Sequence, residues 1–121
     1  MGDFATAAKN TMLDSLTVDR LSLHNGDPGA SGTANELSGG SPAYARQTCV
    51  FNAASGGERL LNANVTFDVP ADTVAYVGFW DYNGGSYVFH GSDPVTNETF
   101  GAQGQYIVTA TTTKLAINNV T

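Results

Sequence analysis

The chain is short of charge, short of cations and nearly without cysteine, and each shortage excludes something. Charged residues are 13% of its 121 positions, where about a quarter is usual in soluble proteins. The polar surface must therefore be largely Thr, Ser, Asn and Gln. Such a surface suits a protein that packs into an assembly, because few charges need desolvating on contact. Five Lys and Arg stand against eleven Asp and Glu, a formal net charge of -6. Nucleic-acid binding draws its affinity from cations meeting phosphates, so this balance argues against it, and equally against an anionic membrane surface. Cys49 is the lone cysteine, so no intrachain disulfide can staple the fold. It lies in an alternating apolar segment and reads as a small buried hydrophobe. No run approaches the roughly 20 apolar residues that cross a bilayer. The N-terminus lacks the basic segment and apolar core of a Sec signal, so synthesis in the cytoplasm, with retention there or release by lysis, is the expectation.

What is present is mainly β pattern. One domain is the natural expectation for this length, and a chain of this size buries roughly two thirds of its unfolded surface without staples. Residues Asp3 to Leu16 read as the only helix, with Asp3 as its N-cap. Phe4, Ala8, Met12 and Leu16 recur every four residues as one apolar stripe, with Leu13 beside it, while Lys9 and Asn10 fall away. So short a helix must pack on the domain or on a neighbouring subunit. The expected organisation is a helix over 1–17 and a β-sandwich body over 18–121.

Strands follow at roughly ten-residue spacing. Val18 to His24 is the first and Tyr44 to Asn52 the second. The third has the clearest pattern: Leu61, Ala63, Val65, Phe67 and Val69 alternate with polar residues until Pro70 stops it. Thr73 to Trp80 is apolar on both faces and should be central, with Gly78 admitting a large neighbour. Asp81 to Gly85 reads as a hairpin loop with Asn-Gly as its cue. Ser86 to His90, a turn at Asp93-Pro94, a short edge strand over Glu98 to Phe100, Gln105 to Thr112 and Lys114 to Asn118 complete the set. Seven or eight short strands with Gly-rich turns indicate an antiparallel β-sandwich with one N-terminal α-helix.

Candidate functional residues cluster in the segment Leu21 to Gln47, where a loop rich in Gly, Ser, Ala and Thr runs from Gly29 to Pro42. A loop this long in a small domain is functional, ordered against a partner, or mobile. His24, Asp27 and Glu36 have side chains fit for metal binding or acid–base work, but a metal needs at least three convergent ligands as a rule. The structural alternative has Asp27 capping its turn and His24 bonding the loop backbone at a strand end. Asp93, Asn97 and Glu98 do not have the spacing of a calcium loop. Arg46, beside Tyr44, can pair with Glu36 or Asp27 and pin the loop to the sheet. Trp80, Tyr82 and Tyr87 gather around the hairpin, where aromatics stack on sugars, anchor interfaces or pack in the core.

The run Leu21-Ser22-Leu23-His24, with Asp27-Pro28-Gly29, Gly32, Asn35-Glu36-Leu37, Gly39-Gly40 and Tyr44-Ala45-Arg46, resembles small virion proteins of tailed bacteriophages. Those open with a similar strand and an L-H-x-x-D-P-G…G-x-x-E-[LV]-x-G-G…Y-x-R loop. Val77-Gly78-Phe79-Trp80-Asp81 is similar to their G-[LIF]-W-D segment. Asn25-Gly26 departs from the Thr-Ala that is more typical after the histidine. The resemblance implies a non-enzymatic structural protein of the particle, either tail-fibre-like or minor tail protein or capsid decoration protein. Its implied partners are other virion proteins and further copies of itself, with no cofactor and no catalytic set. Its implied location is the virion, assembled in host cytoplasm. A carbohydrate-binding module using Trp80, Tyr82 or Tyr87 is a second reading. A small metal-dependent hydrolase using His24, Asp27 and Glu36 is a third.

Overall fold

A computed structural model describes residues 4–110 and 112–116. It is mainly β, with one helix and eight antiparallel strands. The elements are α1 (Thr6–Ser15), β1 (Arg20–His24), β2 (Gln47–Thr48), β3 (Glu58–Leu60), β4 (Val65–Val69), β5 (Thr73–Asn83), β6 (Ser86–Thr99), β7 (Gly104–Val108) and β8 (Lys114–Ala116). A four-stranded sheet has the order β2-β1-β5-β6, and two ribbons, β4-β7 and β3-β8, complete the body. The apolar core joins Leu21, Leu23, Val77 and Phe79 of the main sheet to Val65, Phe67, Val69 and Val108 of the β4-β7 ribbon. Phe51, Leu61 and Cys49 fill between them. Burial pushes the Cys49 thiol up to about 12, as expected of an inert buried hydrophobe.

The doubly apolar pattern of β5 is explained by its place between β1 and β6. The alternation in β4 holds as well. Val65, Phe67 and Val69 are buried and the strand ends before Pro70, although Ala63 lies outside it and is exposed. The expected second strand shrinks to Gln47–Thr48 plus a single bridge from Phe51 to Leu61.

Several expectations are corrected. The β5-β6 hairpin turns on Gly84-Gly85, both at positive φ, with Asn83 paired to Ser86. Two residues with φ > 0 match the twist of the flanking strands, so Gly-Gly takes the turn and both strands run on to meet it. No turn forms at Asp93-Pro94. Pro94 pairs with Tyr76 inside β6, a strand that continues to Thr99 and absorbs the expected short edge strand. A proline is tolerated there because β6 is the sheet edge. Thr109, Ala110, Thr112 and Thr113 are not strand, and Thr111 lies outside the described residues: β7 stops at Val108, and Thr109 and Thr112 are joined through their hydroxyls and backbone. Asn118, at the expected end of the last strand, lies outside the described residues.

The helix is real but turned from the expected stripe toward Leu13, with Met12 half-buried. Leu13 is its one buried residue, while Phe4 and Leu16 are 48% and 42% exposed and Ala8 is exposed. Polar anchors decide its orientation. Asn10 Oδ1 accepts from Gly57 N–H at 2.8 Å, and Asp14 Oδ1 accepts from Ala54 N–H at 2.8 Å. The Arg59 guanidinium donates to the Leu16 carbonyl at 3.0 Å and holds the helix C-terminus, where unpaired carbonyls favour a cation. Ala5 stands at the N-cap without a side-chain bond, and Asp3 lies outside the described residues. No helix among the described residues is long and apolar enough to cross a membrane.

Candidate functional site

Along β1, Leu21 and Leu23 enter the apolar core while Ser22 and His24 occupy the alternate positions, yet all four are fully buried. Ser22 sits opposite Gly78 and Arg20 opposite Trp80. The second face of the sheet is therefore also covered, and the cover is the loop between β1 and β2. It returns along β1: Asn25 N–H donates to Asn35 O at 2.9 Å, His24 bridges Glu36, and Leu37 N–H donates to Leu23 O at 3.0 Å. Asn35 adopts φ 61° and sends its amide to Asp27 O at 3.0 Å. Asp27 Oδ1 accepts Gly29 N–H at 2.8 Å, which is the turn-capping arrangement. Gly32 lies against the Phe89 ring, where any side chain would collide. Gln103 pins the far end, accepting from Ser41 N–H and donating to Pro42 O, both at 3.0 Å.

Under this cover runs a directed hydrogen-bond chain. His24 Nδ1 is 2.9 Å from Ala34 O, a carbonyl that can only accept, so Nδ1 carries the proton. Nε2 then accepts from the Ser22 hydroxyl at 2.7 Å, and Ser22 Oγ accepts from Trp80 Nε1–H at 2.7 Å. Burial pulls the His24 pKa below its ordinary value and outweighs the opposing carbonyl bond and Glu36 charge, so the ring is neutral. Ser22 and His24 have the spacing of a nucleophile and its base, but both are fully buried and Trp80 occupies the hydroxyl. Gly78 makes the arrangement fit: an added Cβ would strike Ser22 Oγ and lie 3.1 Å from His24 Nε2.

Beside that chain, Glu36 gathers three donors. Arg46 grips it with Nε at 2.9 Å and Nη2 at 2.7 Å, and Tyr44 donates its hydroxyl at 2.7 Å while accepting Leu23 N–H at 3.0 Å. Burial alone would raise the Glu36 carboxyl, but the bonds from Arg46 and Tyr44 and the guanidinium charge hold it below its usual range. Burial drives the Tyr44 hydroxyl pKa upward, against the Leu23 bond and with the neighbouring carboxylate. The bond to Glu36 raises Arg46 further. The same guanidinium lies 3.8 Å from the Trp80 ring centroid and 4.5 Å from that of Tyr87, a cation–π stack. Tyr87 meets Tyr82 at 4.5 Å, and Arg20 lies 5.0 Å from Tyr82.

The expected loop residues thus fall into three groups. Glu36, Tyr44 and Arg46 form one cluster, with His24 bridged to its edge. Asp27 stands apart in its own turn. Tyr82 and Tyr87, 37% and 42% exposed, form the outer end of an aromatic–arginine ladder. Among the described residues no three His, Cys, Asp or Glu side chains converge as a metal would require. Ser22 and Gln103 escaped sequence reading. Ser22 had a signal, because Ser and His two apart on a strand share a face. Gln103 had none.

These features define a class, a small antiparallel β domain whose conspicuous loop residues are engaged in holding the loop to the sheet. The family model described as podophage GP4 fiber I protein gp80 matches residues 5–117, and the chain belongs to that family. No curated protein and no solved structure matches it.

Proposed function

We propose that this chain is a non-enzymatic structural protein of a podophage virion, tail-fibre-like, working through packing against other virion proteins and further copies of itself. The family match across residues 5–117 carries the reading. The engagement of Glu36, Tyr44, Arg46 and His24 in internal contacts supports it, since these side chains bond one another, Ser22 and the loop backbone. On this reading the chain divides into a helix over 1–17 and a β-sandwich body over 18–121. The outward residues Phe4, Ala8 and Leu16 then face a neighbour. Minor tail and capsid decoration positions are the other stations for the same chemistry. The test is mass spectrometry of purified particles followed by placement of the chain in a cryo-EM map. Repeated copies on a fibre are expected, and absence from particles would overturn the proposal.

One observation favours a second reading, host-glycan recognition. Tyr82 and Tyr87 are partly exposed beside the Gly84-Gly85 turn, and rings so placed can stack on sugars. A glycan array with wild type and Tyr82→Ala decides it, because binding that survives the substitution, or no binding, removes the idea.

A further inference from the structure

In the main sheet β1 and β5 bury their core-side residues. β6 runs 14 residues without one buried side chain. Its outer edge pairs with nothing among the described residues, and β7 likewise has one partner, β4. Between these two strands lies a cleft of about 520 Å³. Val77, Phe79, Val95 and Val108 make its floor, and Thr96, Asn97, Thr109, Thr112 and Thr113 supply hydroxyls and an amide at the rim. Two carboxylates, Asp93 and Glu98, line it, and no cation does.

The remaining cations are engaged elsewhere. Arg20 pairs with Asp19, Arg46 with Glu36, Arg59 with Asp14 and Lys114 with Glu58. Lys9 is not free either. Neither Asp93 nor Glu98 is the carboxylate partner of Arg20, Arg46, Arg59 or Lys114. A second copy would bring the same net charge of -6 and the same committed cations, so it does not complement this cleft.

We propose that the cleft between β6 and β7 receives an extended, basic segment of another protein. The proposal rests on the packing role proposed above and names the chemistry of one partner. The occupant is polypeptide because both walls are strand edges, whose outward N–H and C=O groups recognise an extended backbone. It alternates apolar residues toward Val77, Phe79 and Val108 with Lys or Arg toward Asp93 and Glu98, as the period of a strand requires. Residues 93–98 span roughly 20 Å at about 3.3 Å per residue, enough for six residues of the guest.

The experiment uses the full chain with two fluorescein-labelled decapeptides, one alternating lysine and valine, the other glutamate and valine. Binding is read by anisotropy at two salt concentrations and mapped by amide chemical shifts. The basic peptide is expected to bind, to shift residues 93–98 and 106–109, and to weaken as salt rises. The pair Asp93→Asn with Glu98→Gln is expected to weaken it about tenfold. The pair Asp68→Asn with Asp81→Asn changes net charge equally and is expected to leave it nearly unchanged. Equal loss in both pairs, equal binding of both peptides, shifts elsewhere, or no binding would overturn the proposal. A chain found on particles but silent here would retain its structural role and lose this partner.

Discussion

The two faces of the main sheet are held by different physics. The core face buries Leu21, Leu23, Val77 and Phe79 against Phe67, Val65 and Val108, and its stabilisation grows with apolar area removed from water. The loop face buries Ser22, His24 and Trp80 under a cover made mostly of small residues, and it is held by directed hydrogen bonds, one ion pair and stacked rings. Apolar packing tolerates volume-conserving exchange, whereas a polar network leaves a buried orphan when one member goes. The core face should therefore respond to lost volume and the loop face to lost partners.

Removing Phe67, fully buried and stacked on Tyr44, should have the largest effect. Phe67→Ala is expected to destabilise by about 3–5 kcal/mol, read by urea unfolding. Next comes Glu36→Ala, which strands the Arg46 guanidinium and the Tyr44 hydroxyl. A loss of about 2–4 kcal/mol is expected, because half-buried partners lose their compensation. In a double-mutant cycle with Arg46→Met, a coupling of more than about 1 kcal/mol would sharpen the contrast between faces. Simple additivity would break it. Gly78→Ala adds volume where Ser22, His24 and Trp80 converge, and about 1–3 kcal/mol should be lost in thermal melts.

Acid should then separate the faces without mutation. The folded-state pKa of His24 lies below its ordinary value, so the unfolded chain binds the proton first as pH falls. The stabilising contribution is present above roughly pH 6.5 and is lost on descending through the interval down to the folded value, by at most about 1.4 kcal/mol per pH unit. Glu36 is also depressed, so its contribution is present above the ordinary carboxylate range and lost as pH drops through its folded value. The charges bearing on the ring are Glu36 and Arg46. A His24→Gln variant should flatten the profile near pH 6.5 while retaining the lower transition, and an unchanged profile would remove His24 as its source. The smallest effect belongs to neither face. Phe4→Ser, at an exposed position just before α1, should alter the stability of the isolated chain by less than about 0.5 kcal/mol.

Legibility in the sequence followed the same division. The alternation of Val65, Phe67 and Val69 and the doubly apolar Val74 to Trp80 pointed to a half-buried strand and a central one, because period-two patterning is a local consequence of burial. An ion pair from Arg46 to a loop acid was also foreseeable, from the scarcity of cations, but the sequence left Glu36 and Asp27 both open and the fold selects Glu36. The helix turns a different side inward than its apolar spacing predicts, because Asn10, Asp14 and Arg59 anchor it through polar bonds that periodicity does not register. The hairpin misled by one residue, since Asn83-Gly84 and Gly84-Gly85 both satisfy a positive-φ turn and only strand pairing selects between them.

The sequence by itself determined a mainly antiparallel β chain with a doubly buried middle strand, because hydrophobic alternation acts between neighbours along one strand. Tertiary structure alone decided that Ser22 would meet Trp80, 58 residues on, and that Gln103 would hold Ser41, 62 residues before it. Such contacts depend on where the closed sheet sets two distant backbones, and a side chain carries no record of that distance.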